Sequence, residues 1–141
     1  MVYTASTLSL AALELFVNLD PEDLPPNLVS IFASVPDGLP ITEIKSSSLP
    51  RNWRTYPASP ASQKLGADWI AAGSTAILSV PSAVIPEERN FLLNPAHADF
   101  KLIEIGESKP FRFDPRVEAN RLYSYRSAII GSARITILLA C

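Results

Sequence analysis

The sequence opens with VYTASTLSLAALELFVN, residues Val2 to Asn18, a run that is apolar on nearly every side and predicts a helix. Ser6 is a suitable N-cap for this helix. Thr7, Glu14 and Asn18 fall on one narrow polar face, because spacings of seven and four residues return to nearly the same helical angle. Burying an unpaired charge costs several kcal/mol, so Glu14 either faces water on this stripe or is buried for a reason.

Length and composition limit the class of protein. A chain of 141 residues is long enough for one ordinary domain and too short for two well-filled cores. It has 13 prolines and only 5 glycines, which favours short strands joined by rigid turns over long helices. A net charge of −2 without a basic stripe indicates that the protein does not bind nucleic acid.

Cysteine usage and hydropathy predict a cytoplasmic protein that does not enter a membrane. Cys141 is the single cysteine, so a disulfide framework or cysteine-based zinc cluster cannot form within the chain. The first apolar run lacks a basic leader and is broken by Glu14 and Asn18, unlike a signal peptide. The apolar stretch from Ala128 to Cys141 contains Arg134 and is shorter than the roughly 20 residues that span a bilayer.

Local patterns predict an α+β fold in a single domain. Pro60 near the start and Gly73 at the end mark a second helix over Ser59 to Gly73, whose buried side is Leu65, Trp69 and Ile70. The remaining predictions are strands at 28–35 and 75–80, a short helix or strand at 41–44, a loop at 46–60 anchored by Trp53 and Tyr56, a loop at 87–100, a hairpin of strands 101–105 and 110–114, and a tail with a helix and a final strand.

Strong catalytic motifs are absent, and four polar features remain as candidates. Glu14 is open to interpretation as a solvated stripe residue and Tyr3 as an aromatic at the edge of the core. Ser82, between Pro81 and Pro86, fits a turn, while Asn94 and His97 fit a hydrogen-bonded loop. With one histidine and one terminal cysteine, the sequence predicts no metal site.

Five blocks follow one another along the chain: VYTASTLSLAALE, LPRNWR, LGADWIAAG, LSVPSAVIPEERNFLLNPAHADF and PFRFDPR. In this order they resemble the RES domain family, the toxin half of bacterial RES–Xre toxin–antitoxin pairs. The resemblance covers residues 1–116 and leaves an atypical tail at 117–141. It implies a mixed sheet with flanking helices, similar to the catalytic core of ADP-ribosyltransferases.

The resemblance also implies a site. The family's tyrosine, glutamate and serine fall on Tyr3, Glu14 and Ser82, as catalytic residues, and its NPxH segment places Asn94 and His97 in the substrate pocket. NAD is the implied substrate, with inorganic phosphate as a co-substrate and no metal. A carboxylate suits the cleavage of the nicotinamide–ribose bond, because it stabilises the oxocarbenium charge that develops on the ribose.

The implied role is a toxin that degrades NAD and is silenced by an Xre-type antitoxin, with a homo-oligomer left open. Two alternatives are a protein ADP-ribosyltransferase and an inactive remnant that retains the fold and the antitoxin-binding surface. The family's arginine-bearing segment is expected ahead of Val2, and Arg51 and Arg54 belong to a different block.

Overall fold

The computed structural model describes residues 1–19, 25 and 27–117, together with the backbone of residues 139–140. In this part of the chain two α-helices, α1 (Leu8–Asn18) and α2 (Pro60–Ala72), flank one mixed sheet, and the described residues 115–117 are also helical. The strands are β1 (Val2–Ala5), β2 (Val29–Ser34), β3 (Ile41–Glu43), β4 (Ile77–Pro81), β5 (Arg89–Leu93), β6 (Glu104–Ile105), β7 (Lys109–Pro110) and β8 (Leu139–Ala140). Their order is β3-β4-β5-β1-β8-β2-β6, and β7 also pairs with β2. The predicted α+β class is confirmed.

The opening run is a strand followed by a helix, so the predicted helix is confirmed but its helix-like pattern does not extend over the first residues, and the predicted Ser6 cap is wrong by one residue. β1 pairs antiparallel with β5 and parallel with β8, and Ser6 N still donates to Arg89 O at 3.0 Å. The helix therefore begins one residue later than predicted. Thr7, in extended conformation, is the N-cap, and its hydroxyl accepts from Leu10 N at 3.1 Å.

The second helix is confirmed, with Ser59 as its N-cap and Gly73 as its C-cap. Gly73 has a φ of 57°, the left-handed conformation that favours glycine. Trp69 is buried, as predicted, but Ile70 is 41% exposed and does not belong to the buried side. In the preceding loop Tyr56 is 83% exposed, so its predicted role as an anchor is also wrong.

The predicted loop at 87–100 contains β5, one of the best-connected strands of the sheet. β5 pairs antiparallel with both β1 and β4, placing Asn90 between Ala5 and Val80. The apolar residues Phe91, Leu92 and Leu93 support this central position, since both faces of the strand are covered. A loop and a 3-10 helix, Ala98–Leu102, then follow.

The predicted hairpin is wrong, because β6 and β7 pair with β2 and not with each other. β6 pairs with Ala33 and Ser34, and β7 pairs with Val29 and Ser30, both antiparallel. The segment that joins them holds one residue more than the matching part of β2, which is the arrangement of a β-bulge. Gly106 lies in this bulge, where an added Cβ would stand 3.1 Å from Phe32 O.

Side chains of the sheet alternate between two covered faces. Leu78 and Leu92 pack with Trp69 of α2, while Ala5 packs with Leu10 and Ala11 of α1, so both helices cover the same face. The opposite face is built on Ala33, Ala76, Ile77, Leu93 and Ile103. Tyr3, on the helix-covered face, borders the Trp69 cluster.

The predicted tail at 117–141 lies mostly outside the described residues, and β8 falls within its predicted final strand. Among the described helices, none has the length and apolar character needed to cross a bilayer.

Candidate active site

Glu14 lies on the buried side of α1, against the sheet. Its side chain is 6% exposed, so it does not form part of a solvated stripe. Two donors meet the same carboxylate oxygen: Ser82 Oγ lies 2.6 Å from Oε1, and Asn90 Nδ2 also lies 2.6 Å from it. These short bonds are typical of charge-assisted hydrogen bonds and offset part of the cost of burying the carboxylate.

Ser82 is held in one orientation by the turn that follows β4. It is 0% exposed, and its Oγ accepts from the backbone N–H groups of Val84 and Ile85, each at 3.0 Å. Because these donors occupy the oxygen's lone pairs, the hydroxyl proton points to Glu14. The prolines at either end of this turn stiffen the backbone that holds the serine.

Asn90 is a site residue that the sequence analysis missed. It is 0% exposed, and its Nδ2 donates both to Glu14 and to the Tyr3 hydroxyl. The amide nitrogen faces Glu14 because an amide oxygen there would repel the carboxylate. Asn90 Oδ1 has no hydrogen-bond partner among the described residues. Recognition of 89–93 as a strand would have placed Asn90 on the helix-covered face, two residues from Leu92.

Tyr3 completes the cluster as a neutral phenol. Burial raises the pKa of Tyr3 well above its usual value, and the negative charge of Glu14 raises it further. The hydrogen bond from Asn90 lowers this pKa, but its effect is smaller than that of burial. Tyr3 is therefore protonated at neutral pH, and its hydroxyl accepts the hydrogen bond from Asn90.

A cavity of about 190 Å³ lies beside this cluster, between the sheet and α2. Tyr3 and Trp53 supply aromatic surface to its wall, and Pro81 and Ala83, on either side of Ser82, also line it. Neither Glu14 nor Ser82 is in the wall, and the Asn90 amide connects Glu14 to Tyr3, which is in the wall. The arrangement offers a flat ring an apolar, aromatic-lined pocket with an anionic group just behind it.

Asn94 and His97 lie elsewhere, past the other end of β5. Asn94 Oδ1 accepts from Ala96 N at 3.1 Å, and His97 Nδ1 accepts from Asp99 N at 3.1 Å. His97 Nε2 lies 3.1 Å from Gly73 O, to which it donates in the matching tautomer. A strand rises about 3.3 Å per residue, which puts Asn94 roughly 13 Å from Asn90 along β5. Both side chains order a loop, and their substrate-binding role stays a prediction.

The described residues contain no group of three or more His, Cys, Asp or Glu side chains that could hold a metal ion. Hydrogen bonds connect the four side chains of the cluster, which are Tyr3, Glu14, Ser82 and Asn90. It can present one carboxylate, with fixed orientation, to a charge that develops in the adjoining cavity.

Comparisons with known proteins identify the family. The RES domain matches residues 1–114. A Prs ADP-ribosylating toxin from Sphingobium sp. (strain YBL2) is 40% identical over 119 residues, which cover 83% of this chain and 74% of that protein. A Toxin Res from Yersinia enterocolitica is 32% identical over 118 residues, with 83% and 77% covered. A Toxin Res from Photorhabdus laumondii is 31% identical over 117 residues, with 82% and 74% covered. The chain belongs to the RES domain family.

Proposed function

We propose that this chain is a RES-type toxin that cleaves the nicotinamide–ribose bond of NAD. Membership of the RES family and the names of its relatives support the toxin role. The observation that carries the chemistry is the buried Glu14 carboxylate, fixed by Ser82 and Asn90 behind an aromatic-lined cavity. Burying a carboxylate costs folding free energy even when it is hydrogen-bonded. Buried ionisable groups with fixed partners beside a cavity are typical of functional sites.

In the proposed step positive charge develops on the ribose, where a carboxylate such as Glu14 can stabilise it. As the glycosidic bond breaks, its electron pair leaves with the nicotinamide nitrogen, the ring becomes neutral, and positive charge grows on the ribose. Glu14 Oε1 already receives two hydrogen bonds, so Oε2 is the oxygen proposed to face the ribose. A fixed carboxylate favours this charge more strongly in the transition state than in bound NAD.

The cavity fits one end of the substrate. At about 190 Å³ it is smaller than the roughly 300 to 1,000 Å³ of pockets for drug-sized ligands. We propose that the nicotinamide ring enters it and stacks on Tyr3 or Trp53, both of which line the wall. The ribose then lies next to the ring on the side of Glu14, and the diphosphate and adenosine lie outside the cavity, along the adjoining surface.

The leading acceptor for the ribose is inorganic phosphate, whose oxygen forms the new bond to the ribose carbon and gives ADP-ribose phosphate. A protein acceptor is the second candidate, favoured by the Sphingobium relative, whose name states that it ADP-ribosylates Prs. Both reactions share the bond cleavage and the role of Glu14. They differ only in the group that attacks the ribose.

The proposed role includes a partner and a place. NAD as the substrate places the activity in the cytoplasm, and an Xre-type antitoxin would silence it by covering the cavity beside Tyr3 and Trp53. Expression of the chain alone should arrest growth, and co-expression of a cognate Xre-type protein should restore it. Growth arrest that Glu14→Gln does not relieve would argue against NAD cleavage as its cause.

Product analysis tests the function. Purified protein is incubated with NAD labelled in its adenylate half, with and without phosphate, and with a bacterial lysate as a source of protein acceptors. Phosphate-dependent release of nicotinamide together with ADP-ribose phosphate supports phosphorolysis, whereas label on a protein band supports ADP-ribosyl transfer. Intact NAD under every condition would overturn both reactions and support the inactive remnant.

A further inference from the structure

Arg54 stands at the rim of the candidate active-site cavity. Its Nε donates to Ala83 O at 3.0 Å, and Ala83 lines the cavity directly after Ser82 in the sequence. Trp53, its neighbour in the chain, also lines the cavity. One hydrogen bond thus holds this guanidinium group to the residue next to Ser82, whose hydroxyl donates to Glu14.

Only the Nε atom of the Arg54 guanidinium has a hydrogen-bond partner among the described residues. Its two Nη groups make no hydrogen bond or ion pair with the described residues, and the residue is exposed. Two other arginines differ in this respect: Arg89 bonds to Ser79 and Ile44 and pairs with Glu43, and Arg116 pairs with Asp114. The positive charge of Arg54 therefore lies at the rim of the cavity, and no carboxylate among the described residues pairs with it.

We propose that Arg54 binds a phosphate group, and that this phosphate belongs to the diphosphate of the dinucleotide substrate. The inference rests on the proposed function and adds the subsite for the middle of the substrate. Arginine suits the task because its planar fork offers parallel N–H donors to two phosphate oxygens. The Nε bond to Ala83 leaves the two Nη groups as the available donors.

The charges of Glu14 and Arg54 are opposite to those of the substrate groups that they would face. Oxidised nicotinamide carries a positive ring charge, and the diphosphate next to it is negative. Glu14 lies behind the cavity, and Arg54 lies at its rim. A dinucleotide with its ring in the cavity and its diphosphate at the rim would meet a complementary charge at each end.

Steady-state kinetics of Arg54→Ala test the inference. We expect the KM for NAD to rise about tenfold with kcat nearly unchanged, the lower end for a charge-assisted hydrogen bond at an exposed position. The KM for inorganic phosphate should not change. Arg51→Ala is the matched control, since Arg51 is an exposed arginine in the same loop. A KM for NAD equal to that of the wild type, or a rise confined to the KM for phosphate, would overturn the inference.

Direct binding separates this inference from the proposed function. Calorimetric titration with ADP-ribose requires no turnover, and Arg54→Ala should weaken its Kd about tenfold while Arg51→Ala leaves it unchanged. Added salt should weaken binding to the wild type more than binding to Arg54→Ala. If NAD is never cleaved but ADP-ribose binding depends on Arg54, the subsite stands and the reaction falls. If NAD is cleaved and the Kd for ADP-ribose does not depend on Arg54, the subsite is contradicted and the proposed reaction is supported.

Discussion

Glu14 illustrates how a buried charge is accommodated by residues remote in sequence. Ser82 and Asn90 each donate to Oε1 at 2.6 Å, and the serine is itself locked by two backbone N–H groups. Loss of one donor would leave part of the desolvation cost of the carboxylate unbalanced. In the proposed reaction Ser82 and Asn90 are therefore positioning residues, which would act on the substrate through Glu14.

Tyr3→Phe should change the response of stability to alkaline pH. The pKa of Tyr3 is raised in the folded protein, chiefly by burial, so above pH of about 10 the unfolded chain loses this proton and the folded chain keeps it. The stabilising contribution is thus complete below pH 10 and is lost as the pH rises toward the folded pKa. Relative to Tyr3→Phe, the wild type should lose about 1 kcal/mol of unfolding free energy per pH unit above 10.

Urea denaturation of both proteins at several pH values between neutral and alkaline measures this difference. The remaining tyrosines are common to the two proteins and cancel in the comparison. Parallel stability curves over the whole range would show that Tyr3 titrates normally, and would contradict its burial beside Glu14.

Some residues of the candidate site were predictable from the sequence, and others were not. Tyr3, Glu14 and Ser82 were placed by resemblance to the RES family, and the structure brings them together. Asn90 was missed because the charged residues ahead of it and the Asn-Pro after its strand favoured a loop at 87–100. Asn94 and His97, predicted for the pocket, are used in loop hydrogen bonds at the far end of β5.

At the level of elements, the start of α1 fixes where Glu14 points. Thr7, not Ser6, caps the helix, because Ser6 N is still engaged with Arg89 O in the sheet. Thr7→Ala should lower the unfolding free energy by about 1 kcal/mol, since the N–H of Leu10 would lose its partner. Chemical denaturation measures the change.

Ser6→Ala is the matched control for this cap, one residue earlier and also a hydroxyl-to-methyl change. We expect its effect to stay within about 0.5 kcal/mol. If Ser6→Ala cost as much as Thr7→Ala, the helix would begin where the sequence pattern suggested, and the register of Glu14 against the sheet would be different.

Elements with strong local signals were predictable, and those defined by distant pairing were not. α2 carries its own start and stop residues, Ser59, Pro60 and Gly73, and was predicted within one residue. The segments at 104–105 and 109–110 have a turn between them that resembles a hairpin. Their partner is β2, which lies far earlier in the chain, and no local pattern specifies that choice.

At the level of the whole molecule, the site exists because β4, β5, β1 and α1 meet at one end of the sheet. Glu14 lies 68 residues from Ser82 and 76 residues from Asn90 in sequence. Composition and local pattern were sufficient for the α+β class and the single domain. Strand order, and hence the convergence of these side chains, depends on pairing across the sheet and required the structure.

Glu14 is the group proposed to promote cleavage of NAD, and the rate at which Glu14→Gln releases nicotinamide tests that role most directly. Glu107→Gln makes the same chemical change at an exposed position and serves as the control. Circular dichroism confirms that each variant is folded. We predict a loss of at least about a hundredfold in the rate of nicotinamide release for Glu14→Gln, typical of removing one transition-state charge contact, and a wild-type rate for Glu107→Gln. A folded Glu14→Gln protein that releases nicotinamide as fast as the wild type would contradict this role of Glu14, as would a wild type that releases none.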